Sequence, residues 1–172
     1  GKAHRREKLA GMFWPDTTEA NARSNLRHAL WRVRKALGDQ KNVETGFLEA
    51  DSFTIAYNPS PDQWVDAYRL QEGSGKDPSL EELIEVVSVY GGELLPGFYE
   101  DWVVLERDRL GAAYHQLMDA LLERLIEAVR WRDTLEWSET WIRMAHAPEP
   151  AFRALMRAHA GLGDQGMVNA AY

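Results

Sequence analysis

The chain contains no cysteine, which excludes disulfides, zinc-thiolate clusters and thiol nucleophiles together and leaves packing alone to hold the fold. No apolar run approaches the roughly 18 residues of a membrane span. The opening Gly1-Lys2-Ala3-His4-Arg5-Arg6 has no apolar signal-peptide core behind it. These absences predict a cytoplasmic address with no membrane partner. Histidine is scarce: His4, His28, His115, His146 and His159 are scattered, with no pair at the four-residue helical spacing of an HExxH zinc site. No metal site and no cofactor is expected.

The remaining signs of catalysis are also weak. Gly73-Ser74-Gly75-Lys76 resembles the end of a phosphate loop, yet the leading glycine would fall on Leu70, and Asp77 replaces the magnesium-holding hydroxyl. Acidic pairs such as Glu81-Glu82 and Glu106/Asp108 lie in charge-rich helical segments, where carboxylates are ordinarily solvated. The chain is therefore expected not to be an enzyme.

What is present is an ordinary globular composition, 172 residues with 45% hydrophobic content, enough for one good core or two small ones. The net charge of −7 conceals an asymmetry: residues 1–58 sum to +3 and residues 59–172 to −10. A basic module suited to a polyanion is thus joined to an acidic module with another task.

Apolar spacing predicts a short helix from Arg5 to Trp14, with Leu9, Met12 and Phe13 on one side and Pro15 as its stop. Pro15-Asp16-Thr17-Thr18 is a turn able to cap a second helix over residues 19–37. That segment has no Gly or Pro, repeats Leu26, Leu30, Val33 and Leu37, and meets a C-terminal stop at Gly38. Phe47–Ala50 and Phe53–Tyr57 flank Asp51-Ser52 and predict a β-hairpin. A linker around Pro59-Ser60-Pro61-Asp62 leads to a short helix at Val65–Gln71, and Gly73 to Pro78 forms a flexible break. Helices then follow at roughly Leu80–Tyr90, Asp101–Arg130, Thr134–His146, Pro150–Leu162 and from Gln165. Arg132-Asp133 is echoed 31 residues later by Gly163-Asp164, close to the roughly 34-residue period of tetratricopeptide-like helix pairs. Trp131, Trp137, Trp141, Phe152, Leu155 and Met156 supply apolar surface for stacking such pairs.

On a helical wheel, Ala22, Leu26, Ala29, Leu30, Val33, Ala36 and Leu37 share one arc. The opposite arc gathers Arg23, Arg27 and Arg34 with Ser24, His28, Arg32 and Lys35, and no carboxylate falls between Asn21 and Gly38. An unbroken cationic face opposite an apolar one suits a helix lying in a groove lined by phosphates, where guanidinium groups can also read guanine edges. The hairpin adds only Ser52, Thr54 and Phe53 as contacts, since Glu49 and Asp51 are acidic. Trp31 is expected to pack against the helical domain rather than to touch DNA, and Leu94, Leu95, Phe98 and Trp102 to pack between helices.

Two runs carry a resemblance to a known family. Arg5 to Asp16, with Ala22-Arg23-Ser24-Asn25-Leu26-Arg27-His28-Ala29-Leu30 and Val33-Arg34-Lys35-Ala36-Leu37-Gly38, resembles the winged-helix region of antibiotic-regulatory-protein type transcriptional activators. Tyr90-Gly91-Gly92-Glu93-Leu94-Leu95-Pro96-Gly97-Phe98-Tyr99-Glu100-Asp101-Trp102-Val103, followed by Glu106-Arg107, is similar to the bacterial transcriptional activator domain that accompanies it. The resemblance implies an OmpR-like winged helix reading promoter DNA. It also implies a tetratricopeptide-like helical domain for homodimerisation or for contact with RNA polymerase or another protein. Carried over residue by residue, the DNA-contacting role falls on Arg23, Ser24, Arg27, His28, Arg34 and Lys35. In the family a small sheet and a helix precede the segment that begins here. The chain therefore reads as a fragment, in which Leu9, Met12, Phe13, Leu26 and Leu30 lack part of their core.

The expectation is a mainly α chain: a partial winged helix of two helices plus a hairpin over residues 1–58, a linker with a short helix over 59–79, and a truncated helical activator domain over 80–172. The alternative is a tetratricopeptide-like interaction scaffold from a multidomain signalling protein, with no direct DNA binding.

Overall fold

In the computed structural model the described residues are 2–38, 46–59, 64–75, 78–145 and 148–171. The expected linker at 60–62, the Lys76-Asp77 part of the expected break, and His146, the expected end of the Thr134–His146 helix, lie outside them. The chain is mainly helical with one small sheet, and it divides into two compact units, Gly1–Trp64 and Val65–Tyr172.

The first unit comprises β1 (His4–Arg5), α1 (Arg6–Phe13), α2 (Glu19–Ala36), β2 (Leu48–Ala50) and β3 (Thr54–Tyr57). Thr18 caps α2 by accepting from the Asn21 N–H, and Gly38 leaves the helix with φ 67°. The hairpin is shorter than its β-prone residues predict, because the Asp51 carboxylate accepts the Phe53 and Thr54 N–H groups at 2.6 Å and draws Phe53 into the turn. Those backbone bonds, from Thr54 foremost and then Phe53, hold the Asp51 carboxyl below its ordinary range. Strand β1 completes an antiparallel sheet of order β1-β3-β2, with His4 opposite Ile55 and Ala50 opposite Ile55 on the other edge. Two residues are too short a run for any alternation to reveal.

Among the described residues the core of this unit is small: Ala10, Ala22, Leu26 and Ile55 are buried, with Leu9, Trp14, Leu30 and Ala50 packed around them. Leu26 therefore has cover, while Met12, Phe13, Val33 and Leu37 are exposed on the same apolar sides.

The second unit comprises α3 (Asp66–Ser74), α4 (Leu80–Ser88), α5 (Asp101–Glu127), α6 (Trp131–Met144), α7 (Glu149–Gly161) and α8 (Gln165–Ala171). Two expectations need correction here. Helix α3 belongs to this unit rather than to a linker, since Leu70 is buried in its core. Nor does Gly73 open a flexible break: it stays helical, and a Cβ there would come within 2.6 Å of Val86 Cγ1, so its bareness lets α3 and α4 pack closely. Ser79 and Glu82 form a reciprocal capping box that starts α4.

Helix α5 is the spine, burying Val103, Leu110, Tyr114, Leu117, Met118, Leu121, Leu122 and Leu125 and touching α3, α4, α6 and α7. It ends at Glu127, not Arg130, because Val129 takes a left-handed φ of 58°. The Val129 N–H then bonds Ile126 O, and the Arg130 N–H bonds Leu125 O. Gly163 does the same after α7, with φ 79° and bonds from Gly163 N–H to Ala160 O and from Asp164 N–H to His159 O. These matching stops lie 34 residues apart and set the period of the helix pairs, replacing the 31-residue echo.

A β-branched residue is strained at such a position. Val129→Gly should therefore stabilise the chain by about 1 kcal/mol, after allowance for the looser unfolded state. A melting temperature that stays level or falls would refute the assignment of strain.

On the flank of the same core, the Trp141 indole N–H donates to His115 Nδ1 at 2.7 Å, and the two rings stack. The bond requires a neutral imidazole, and burial lowers the His115 pKa. Below the unfolded value of about 6.5, the unfolded chain takes up a proton that the folded chain resists. Stability should thus fall as pH drops below about 6.5 toward the lower folded value, and His115→Leu should remove that part of the slope in melts followed by Trp fluorescence.

Candidate nucleic-acid interface

The six residues expected to contact DNA all lie on α2, but they are not equivalent. Arg27 and His28 are exposed and Ser24 is half-buried; none of the three side chains has a hydrogen bond or ion pair among the described residues. Lys35 is exposed and holds its ammonium 5.2 Å from the Trp31 ring centroid, one turn back on the helix. Trp31 itself is 61% exposed. Arg34 is half-buried and turns inward, donating from Nη2 to Leu48 O at 3.3 Å and tying the C-terminal half of α2 to β2.

Arg23 is the most heavily engaged. Its Nη2 lies 2.8 Å from Glu7 Oε1 on α1 and 2.5 Å from Glu19 Oε1 in the first turn of α2. The Glu19 contact follows from helical i,i+4 spacing. Glu7 has no signal in the linear sequence, because it reaches Arg23 only once α1 and α2 have packed.

Arg6 Nη1 donates to Asp51 O at 2.9 Å, and the Arg6 N–H bonds Phe53 O at 2.9 Å, so the start of α1 is tied to the hairpin turn. As a result Arg5, Arg6, Arg23 and Arg27 converge with Ser52, Phe53 and Thr54 around one groove of about 1060 Å³. Its carboxylates are Glu7, which faces Arg23, and Asp51, which is spent on the turn. Phe53 stands 79% exposed at its edge. Of the hairpin residues expected as contacts, Ser52 and Phe53 are presented outward, whereas the Thr54 hydroxyl donates to Asp51 Oδ2 at 3.0 Å.

The second unit presents a different surface. Arg107 donates to Leu94 O at 3.0 Å from Nε and to Leu95 O at 2.7 Å and Phe98 O at 3.0 Å from Nη2, and it pairs with Glu93. One guanidinium thus shapes the loop between α4 and α5. Leu94 packs against the core as expected, whereas Leu95, Phe98 and Tyr99 stand exposed on that loop, contrary to the packing expected of Leu95 and Phe98. Among the described residues no three His, Asp or Glu side chains form a group able to hold a metal ion, and no helix is long and apolar enough to cross a membrane.

The second unit is a set of paired helices stacked on one spine, with a guanidinium-pinned loop before that spine and a 34-residue period after it. Residues 66–172 match the model of the bacterial transcriptional activator domain, and the chain belongs to that family. No curated protein and no solved structure shows a significant match to it.

Proposed function

We propose that the chain is the DNA-reading and activating part of a bacterial transcription regulator. Residues 1–58 act as part of an OmpR-like winged helix, with α2 as the recognition helix and the β2-β3 hairpin as the wing. Residues 59–79 join it to the activator domain proper, with α3 contributed to that domain's core. The observation that carries the reading is the convergence of Arg5, Arg6, Arg23 and Arg27 on one groove between α2 and the hairpin turn. A duplex backbone carries a phosphate charge every few ångströms, and clustered guanidinium groups release its counterions on binding. Arg27, His28 and Lys35 face outward for phosphate or base contact, half-buried Ser24 lies beside them, and Arg34 steadies the helix on the sheet. Membership of a transcriptional activator domain family supports the same reading from the other end of the chain. The helical unit serves homodimerisation or contact with RNA polymerase or another protein, in a cytoplasmic regulator with no catalytic function.

The test is a salt titration of duplex binding across a promoter library. Affinity should fall steeply with salt, and Arg27→Ala should weaken binding to every duplex and reduce the slope of log K against log salt by about 1. Retention of no duplex at low salt would overturn the reading. In its place would stand an interaction scaffold, which is favoured by one observation: Leu95, Phe98, Tyr99 and Leu105 of the second unit are exposed large apolar residues in or just after the pinned loop.

A further inference from the structure

The two carboxylates on Arg23 are a feature that a phosphate-binding face does not require. Glu7 and Glu19 both address the same nitrogen, Nη2, at 2.8 and 2.5 Å. A guanidinium forms a two-pronged contact with phosphate or guanine either through its two terminal nitrogens or through Nε and Nη2. Nη2 belongs to both forks. With each of its N–H groups directed at a carboxylate, Arg23 retains only single N–H contacts for a ligand. Arg27, one turn further along α2 and lining the same groove, has no such partner among the described residues.

Resting on the DNA-binding reading above, we infer that Glu7 and Glu19 form a carboxylate clamp that withholds Arg23 from nucleic acid. The pair sets affinity by competing with phosphate for one guanidinium, and Arg27 makes the contact that Arg23 is kept from. All three clamp side chains are exposed, at 51% for Arg23, 67% for Glu7 and 76% for Glu19. Solvent screening keeps each pair weak enough for a phosphate to displace, so the clamp lowers affinity without abolishing it.

The experiment measures duplex binding by the full chain against salt, comparing the wild type with Glu7→Gln/Glu19→Gln. Freed Arg23 adds one phosphate contact. The double variant should bind roughly threefold to tenfold more tightly at low salt, and its salt slope should steepen by about 0.9. The same two replacements in an Arg23→Ala chain should leave the slope unchanged, which separates the clamp from a general easing of charge repulsion. An equal steepening in the Arg23→Ala background overturns the inference, as does an unchanged slope in the wild-type background. A readout without DNA tests the clamp itself: in the free protein, Arg23 guanidinium protons should exchange with water more slowly than those of Arg27, and the double variant should erase the difference. Equal exchange in the wild type also overturns it. If the wild type shows slow Arg23 exchange but neither it nor the double variant retains DNA, the DNA reading is what fails, and the clamp's role in affinity falls with it.

Discussion

Replacing Arg107 by alanine should destabilise the helical unit by about 2–4 kcal/mol and lower its melting temperature by on the order of 10 °C. The side chain is only 18% exposed and is the shared donor for the carbonyls of Leu94, Leu95 and Phe98, with Glu93 as its ion pair. Its removal leaves those carbonyls without their donor and frees a segment in which Leu95 is held at a φ of 48°. Arg107→Lys should recover less than half of the loss, because an ammonium is a point charge and cannot span three carbonyls as a planar fork does. Thermal unfolding of the three proteins decides the matter. A lysine variant as stable as the wild type would show that charge, not geometry, holds the loop.

Gly161→Val should cost about 3 kcal/mol. A Cβ at this position would sit 2.4 Å from Trp131 Cε2 and 2.7 Å from Cδ2, so the end of α7 lies directly on the indole that begins α6. The ring is a rigid body and cannot yield as the tip of a lysine would. Glycine costs roughly 1 kcal/mol against alanine inside a helix, so its presence here is explained by the ring and not by helix formation. Trp131→Ala in the Gly161→Val background should restore part of the stability, a coupling between neighbours that a double-mutant cycle reads directly. Additive losses would mean that the two residues do not meet.

Most of the helical architecture was legible in the sequence because its signals are local. The stretch from Thr18 to Gly38 carries its cap, its apolar period and its stop within twenty-one positions, and the expected helix over 19–37 ends within a residue of the observed α2. Signals that depend on tertiary contact were not legible. Gly73 reads as the start of a break and Gly161 falls unremarked inside an expected helix, yet each is a point where a helix approaches its neighbour too closely for a Cβ. Val129 gives no composition cue for a helix stop, so the apolar pattern predicts α5 three residues too long and hides the 34-residue spacing of the stops. The candidate interface divides in the same way. The basic arc of α2 follows from angular arithmetic, but the inward turn of Arg34 and the reach of Glu7 to Arg23 arise only when sheet and helices assemble.

The modest interior that the described residues of the first unit form, two alanines, a leucine and an isoleucine, also bears on how its binding would register thermodynamically. So little buried apolar surface leaves its folding equilibrium close to balance, while the helical unit has a far larger interior to resist heat. Any ligand that grips only the folded form of the first unit shifts that equilibrium by mass action. Its measured affinity would then include the free energy of completing the fold, and calorimetry would report occupancy as a rise in the lower of two separate heat-absorption peaks.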